Sequence, residues 1–312
     1  MRKLFALALS AAVMLCASCK APEAKSDRLS IITTIYPAYD FAVQVFGDTA
    51  DITLLLKPGM EAHTYDPSAR DIVKINDCDL FIYNGGESDE WVENILASSD
   101  DINTFRMMDC IEALQEETPE GMQETADHDD DDHAEEYDEH IWTSPKNAAK
   151  IVDGIRFSAK ELLPEKAERF DACADEYIAK INDLDRRFSE LLSGEERYFV
   201  FGDRFPLLYF FREYSLNYYA AFPGCGSEVE PSAGTIAFLT EKLKSEQTVG
   251  TVFYIELSNH KLADVLAEET GLPTAEFHTC HNIAAADFEA GETYVSLMER
   301  NYNTLKSALG RE

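Results

Sequence analysis

Basic residues are scarce in this chain: its 312 residues carry 27 Lys and Arg against 59 Asp and Glu, a formal net charge of −32. A surface of that sign repels phosphate backbones, so nucleic acid is excluded as a partner. Past Cys19 there is no run approaching the roughly 20 uninterrupted apolar residues that a membrane-spanning helix needs. Paired CxxC, HExxH, a nucleophile elbow and a Gly-rich phosphate loop are all absent. Without them the usual signatures of structural zinc modules, zincins, serine hydrolases and nucleotide enzymes are missing, and the chain is expected not to be an enzyme. An exported zinc-dependent hydrolase, with Glu61 or Glu256 as general base, is the alternative from the enzyme class.

What is present begins with "MRKLFALALSAAVMLCASC", a basic pair followed by a short apolar stretch and small residues, the form of a secretory leader over residues 1–18. Cys19, after Ala17 and Ser18, resembles the lipid-modified cysteine of a bacterial lipobox, although Cys16 stands where an aliphatic residue is usual. Residues 19–28 lack a periodic apolar face and read as a tether from a bacterial membrane to an extracytoplasmic domain. Losing Arg2 and Lys3 with the leader leaves 25 basic residues against 59 acidic ones, a net charge of −34. With 45% apolar composition, the rest can bury a substantial core.

Four apolar runs, "LSIITTIY", "DITLLL", "CDLFIYNGG" and "INTFRMM", alternate with helix-like patterns, which predicts a helix-covered parallel sheet in a first α/β lobe over 29–160. Residues 115–139 interrupt it with an acidic, His-containing loop. Ser144 and Pro145 suit a helix start, as do Asp66 and Pro67 earlier. Phe170, Tyr177, Leu184 and Leu191 recur every seven residues with Ala174, Ile181 and Phe188 on the same face, predicting one helix from Pro164 to Leu192 within a linking segment 161–194. Four more runs, "RYFVFG", "LNYYAAF", "VGTVFYIE" and "PTAEFH", build a second α/β lobe over 195–312. Among the cysteines, Cys78 and Cys110 flank possible neighbouring strands and could pair, while Cys173 reads as a small buried hydrophobe.

Side chains with metal-binding chemistry sit where ligands gather in such folds, at the carboxyl ends of strands. His63 lies in "KPGMEAHTYDPSARD", between a strand and a helix, and His140 in "DEHIWTSPKN", before another helix. "FHTCHN" concentrates His278, Cys280 and His281 at the last strand end, and imidazole, thiolate and carboxylate are the donors zinc takes. Any one of these histidines alone is more often a surface or capping residue than a ligand. Asp203, Cys225 and Glu256 follow other strand ends in the second lobe.

"IYPAYDFA", "LLLKPGMEAHTYDPSARDI", "DLFIYNGGESDEWV", "DEHIWTSPKNA" and "GETYVSLMERNYNTLKSAL", in that order, resemble the metal-binding lipoproteins that deliver zinc or manganese to bacterial ABC importers. The resemblance runs from Leu29 to Leu309 and implies two parallel-sheet α/β lobes joined by a long rigid helix, with one metal in the cleft between them. It implies an importer permease as partner, a monomer, and His63 and His140 as the ligands from the first lobe. The family's third ligand, a histidine before an aspartate in the second lobe, is replaced here by Gly202 in "VFGDRF". We therefore expect His278 and His281 to complete the site, with Cys280, Asp203 and Glu256 in reserve; a Cys225–Cys280 disulfide would remove both thiols. A histidine-rich set suits Zn²⁺ better than Mn²⁺, which wants more oxygen ligands. "HDDDDH", His128 to His133, could gather zinc weakly for that site.

Overall fold

The computed structural model describes residues 28–60, 65–99, 102–123, 137–224, 230–245 and 247–311. The leader, Cys19, Glu61, His63, the "HDDDDH" stretch and Cys225 lie outside the described residues.

In the first lobe, β1 (Leu29–Thr33), α1 (Tyr36–Phe46), β2 (Ala50–Leu54), α2 (Ala69–Asp77), β3 (Leu80–Tyr83), α3 (Glu90–Leu96) and β4 (Thr104–Arg106) form a parallel sheet in the order β2-β1-β3-β4. After α4 (Pro145–Leu162) and the long α5 (Ala167–Leu192), the second lobe runs β5 (Tyr198–Phe205), α6 (Leu208–Glu213), β6 (Asn217–Pro223), α7 (Ala233–Leu243), β7 (Thr248–Ile255), α8 (Lys261–Thr270) and β8 (Thr274–Phe277). Its sheet, β6-β5-β7-β8, is also parallel and has the same topology. α9 (Ala285–Ala290) and α10 (Tyr294–Ala308) close the chain. All eight apolar runs became strands, and no helix among the described residues is long and apolar enough to cross a membrane.

Three local expectations need correction. α2 is capped by Ser68, two residues after Asp66, because Ser68 and Asp71 make a reciprocal box that satisfies backbone N–H groups at both positions. The linking helix begins at Ala167, preceded by a 3₁₀ turn over Pro164–Lys166; its apolar stripe is the expected one and is buried throughout. Cys78 and Cys110 are free thiols, as are Cys173 and Cys280. Cys78 precedes β3 and packs in the cluster around Phe81, whereas Cys110 follows β4 and packs against the separate, larger cluster that includes Leu80 and Ile82.

The core crosses from lobe to lobe. Alternate residues of β3 face opposite clusters: Phe81 and Tyr83 pack under α2 and α3, while Leu80 and Ile82 join a continuous apolar mass that includes α1, α4, α5, α10 and the inner face of the second sheet. Trp142, fully buried in that mass, donates its Nε1–H to the Thr279 carbonyl at 2.9 Å, and its backbone carbonyl accepts the Tyr294 hydroxyl at 2.8 Å. Tyr36 of α1 bonds the Glu292 carbonyl at 2.6 Å, and Asp40 receives the Tyr177 hydroxyl of α5 and the Tyr294 N–H of α10.

Candidate metal centre

His140 is placed by its own neighbours. Asp138 accepts the His140 N–H at 2.7 Å and faces its ring Nδ1 at 3.2 Å, and is itself held because the Tyr209 hydroxyl donates to the Asp138 carbonyl at 2.8 Å. Glu139, between them, turns away to accept the Ser88 N–H at 3.0 Å. This packing needs a glycine at position 86, where a Cβ would fall 2.2 Å from that of Glu139. Burial pulls the His140 pKa down, but the charges of Asp138, Glu139 and Glu116 outweigh it and hold the ring above the ordinary histidine value. With Nδ1 engaged by a carboxylate, Nε2 is the nitrogen suited to ligate, the arrangement that raises ligand basicity in metal sites. The Asp-x-His spacing was the available signal for Asp138, and sequence reasoning gave it no role.

The turn after β8 separates the two histidines of "FHTCHN". Cys280 has a left-handed backbone, φ 62°, so the chain reverses there and His278 and His281 face different surroundings. His281 packs its ring 5.0 Å from Trp142 and 5.3 Å from His140, centroid to centroid, the two imidazoles standing at 79°. His278, 3% exposed, accepts the Cys280 N–H on Nδ1 at 2.9 Å, so its neutral ring carries the proton on Nε2. Asn301 bonds both its backbone N–H and its carbonyl, each at 2.7 Å. The structure thus brings His140 and His281 together and leaves His278 employed in shaping the turn.

His140 and His281 line a cavity of about 30 Å³ between the lobes, together with Met60, Glu256, Thr279 and Asn282. That is room for an ion or a water, far below the several hundred Å³ an organic ligand occupies. Among the described residues no three His, Cys, Asp or Glu side chains converge as a complete metal cage. Glu256 is buried and accepts the Thr279 N–H at 2.7 Å and hydroxyl at 2.5 Å. Cys280 is fully buried, and desolvation with the nearby charges of Glu256 and Asp40 pushes its thiol well above the ordinary range, which keeps it protonated. Asp203 spends its carboxylate on the N–H groups of Arg204 and Ile255 at 2.8 and 3.2 Å. Beside it, Gly202 has no space for a side chain: a Cβ would lie 2.9 Å from Ala263 Cα, in the backbone of α8.

A family model described as "Zinc-uptake complex component A periplasmic" matches residues 31–308. The zinc-binding lipoprotein AdcA of Streptococcus pneumoniae strain R6 is 33% identical over 316 residues, covering all of this chain and 62% of that protein. The chain therefore spans about three-fifths of the length of that streptococcal relative. The high-affinity zinc uptake system protein ZnuA of Bacillus subtilis is 30% identical, covering 92% of this chain and 89% of that protein. The crystal structure of the Zn(II)-bound ZnuA-like domain of the pneumococcal AdcA superposes with a TM-score of 0.75 at 33% identity, covering 91% of this chain and all of that domain.

Proposed function

This chain belongs to the family of zinc-uptake complex component A, and from that premise we propose that it captures a zinc ion in the cavity between its lobes and hands it to an ABC importer. The observation that carries this reading is the His140–His281 pair, one imidazole from each lobe, 5.3 Å apart. Two imidazoles on one tetrahedral ion at about 2.0–2.1 Å would have centroids about 5 Å apart, so the pair is spaced for shared ligation. We assign His63, His140 and His281 as nitrogen ligands, with Glu256 as the oxygen donor bordering the cavity. His278, also expected from the sequence, would join only by giving up its bond from the Cys280 N–H. Zinc is favoured over manganese by this donor set.

His281 takes over the part of the ligand missing at Gly202, where α8 lies too close for an imidazole. The chain would act outside the cytoplasm as a monomer, held to a bacterial membrane by lipid on Cys19. Its role is carriage and not catalysis, a reading supported by the ion-sized cavity beside the histidine pair and by the lack of a zincin or nucleophile-elbow motif in the sequence. Chelator-competition titration with zinc and manganese tests the assignment: tight zinc binding in the wild type, lost in His140→Ala and His281→Ala, is expected. Unchanged affinity in both variants would refute it. Cys19→Ala should release the protein from the membrane fraction.

A further inference from the structure

Resting on that reading, we propose that Asn282 is a positioning residue for metal capture, clamping the segment that leads to His63 onto the loop that carries His281. Asn282 is 4% exposed and follows His281 directly. Its Nδ2 donates to the Lys57 carbonyl at 3.1 Å and the Met60 carbonyl at 2.6 Å, while its Oδ1 accepts the Ile283 N–H at 2.8 Å. The Ile283 bond fixes which way the amide faces, because a backbone N–H can only donate. Both amide hydrogens are then spent on the first lobe. A backbone bond from Gly59 to the Ile283 carbonyl at 2.9 Å reinforces the same junction, and Met60 closes a turn onto Lys57 at 3.1 Å.

Met60 precedes His63 by three residues, a tether of roughly 10 Å at full extension. The clamp therefore ties the stretch that ends at Met60, three residues before His63, to the loop that carries His281, more than two hundred residues away in the chain and beside the cavity. Holding Lys57 to Met60 against the second lobe before the ion arrives removes part of the entropy that would otherwise oppose binding. A side chain that merely filled space there would not need both amide hydrogens on carbonyls of the opposite lobe.

A double-mutant cycle tests the clamp, using zinc affinity of the purified protein by chelator competition, alongside thermal stability without metal. Asn282→Ala is expected to weaken zinc binding about tenfold, the lower end for groups that position metal ligands. In a His63→Ala background the same change should cost less than about twofold, since the clamp acts through His63. Asn282→Ser, which loses the same bonds with a smaller void, should repeat the pattern and serves if the alanine variant does not fold. Wild-type affinity in the single variants, or an undiminished loss in the His63→Ala background, would overturn the clamp. A wild type that holds no zinc would overturn the functional reading itself, and the clamp with it.

Discussion

The two lobes share a strand order but use matching positions differently. After the third strand of each sheet stands a buried carboxylate, Asp89 in the first lobe and Glu256 in the second. Asp89 accepts the N–H groups of Asn84 and Gly85 and the Thr34 hydroxyl on one oxygen, sewing its own lobe together. Glu256 accepts the Thr279 N–H and hydroxyl, faces the His278 ring Nδ1 at 3.8 Å and borders the inter-lobe cavity. A second difference lies within β5, where α8 crowds Gly202. The lesson is that topology supplies equivalent strand ends, while side-chain bonding decides which of them serve a ligand and which serve the fold.

The largest effects should come from the histidines: His140→Ala and His281→Ala are each expected to weaken zinc binding by more than the about 10–100-fold typical of losing a group that only hydrogen-bonds a metal ligand. Comparable losses on both sides, by competition titration, would show that the lobes share the ion; a loss only for His140→Ala would break the comparison. Next, Asp138→Asn should lower affinity about 10–100-fold. It should also move the acid limb of the affinity profile to lower pH, because the carboxylate that holds the His140 pKa up is gone. In the wild type, protons compete for that raised ring, so affinity should fall on acidification from above the ordinary histidine value of about 6.5.

Gly202→His should lower thermal stability by about 1–3 kcal/mol through overpacking against α8 and leave zinc affinity no better. The smallest change separates the paired carboxylates. Burial pushes Asp89 up to about 6, assisted by the charge of Glu139. The folded chain therefore holds a proton there that the unfolded chain has lost, and this group's contribution to stability declines as pH rises from about 4 to 6. Asp89→Asn retains an oxygen for the three donors and should flatten that decline in urea titrations without altering zinc affinity. Glu256→Gln should do the reverse, weakening zinc modestly with little change in stability.

The alternation of apolar runs and helical patterns was enough to read both sheets, and the seven-residue spacing from Phe170 to Leu191 marked the buried face of α5. Those features are periodic, and periodicity is what one sequence displays well. The start of α2 was not legible, because Asp66-Pro67 and Ser68-x-x-Asp71 both read as caps and only the reciprocal bonds decide between them. Nor was the unequal use of His278 and His281, which depends on a left-handed residue at Cys280 that composition does not announce. Asn282 was invisible for another reason: its partners are backbone carbonyls of the other lobe, and carbonyls have no sequence signature.

One apolar mass runs from α1 through α5 to the inner face of the second sheet. Cutting the chain within α5 would leave each half with a raw oily face rather than a finished surface. The halves are thus architectural units without being autonomous ones, and the protein should melt in a single cooperative transition, with calorimetric and van't Hoff enthalpies in agreement.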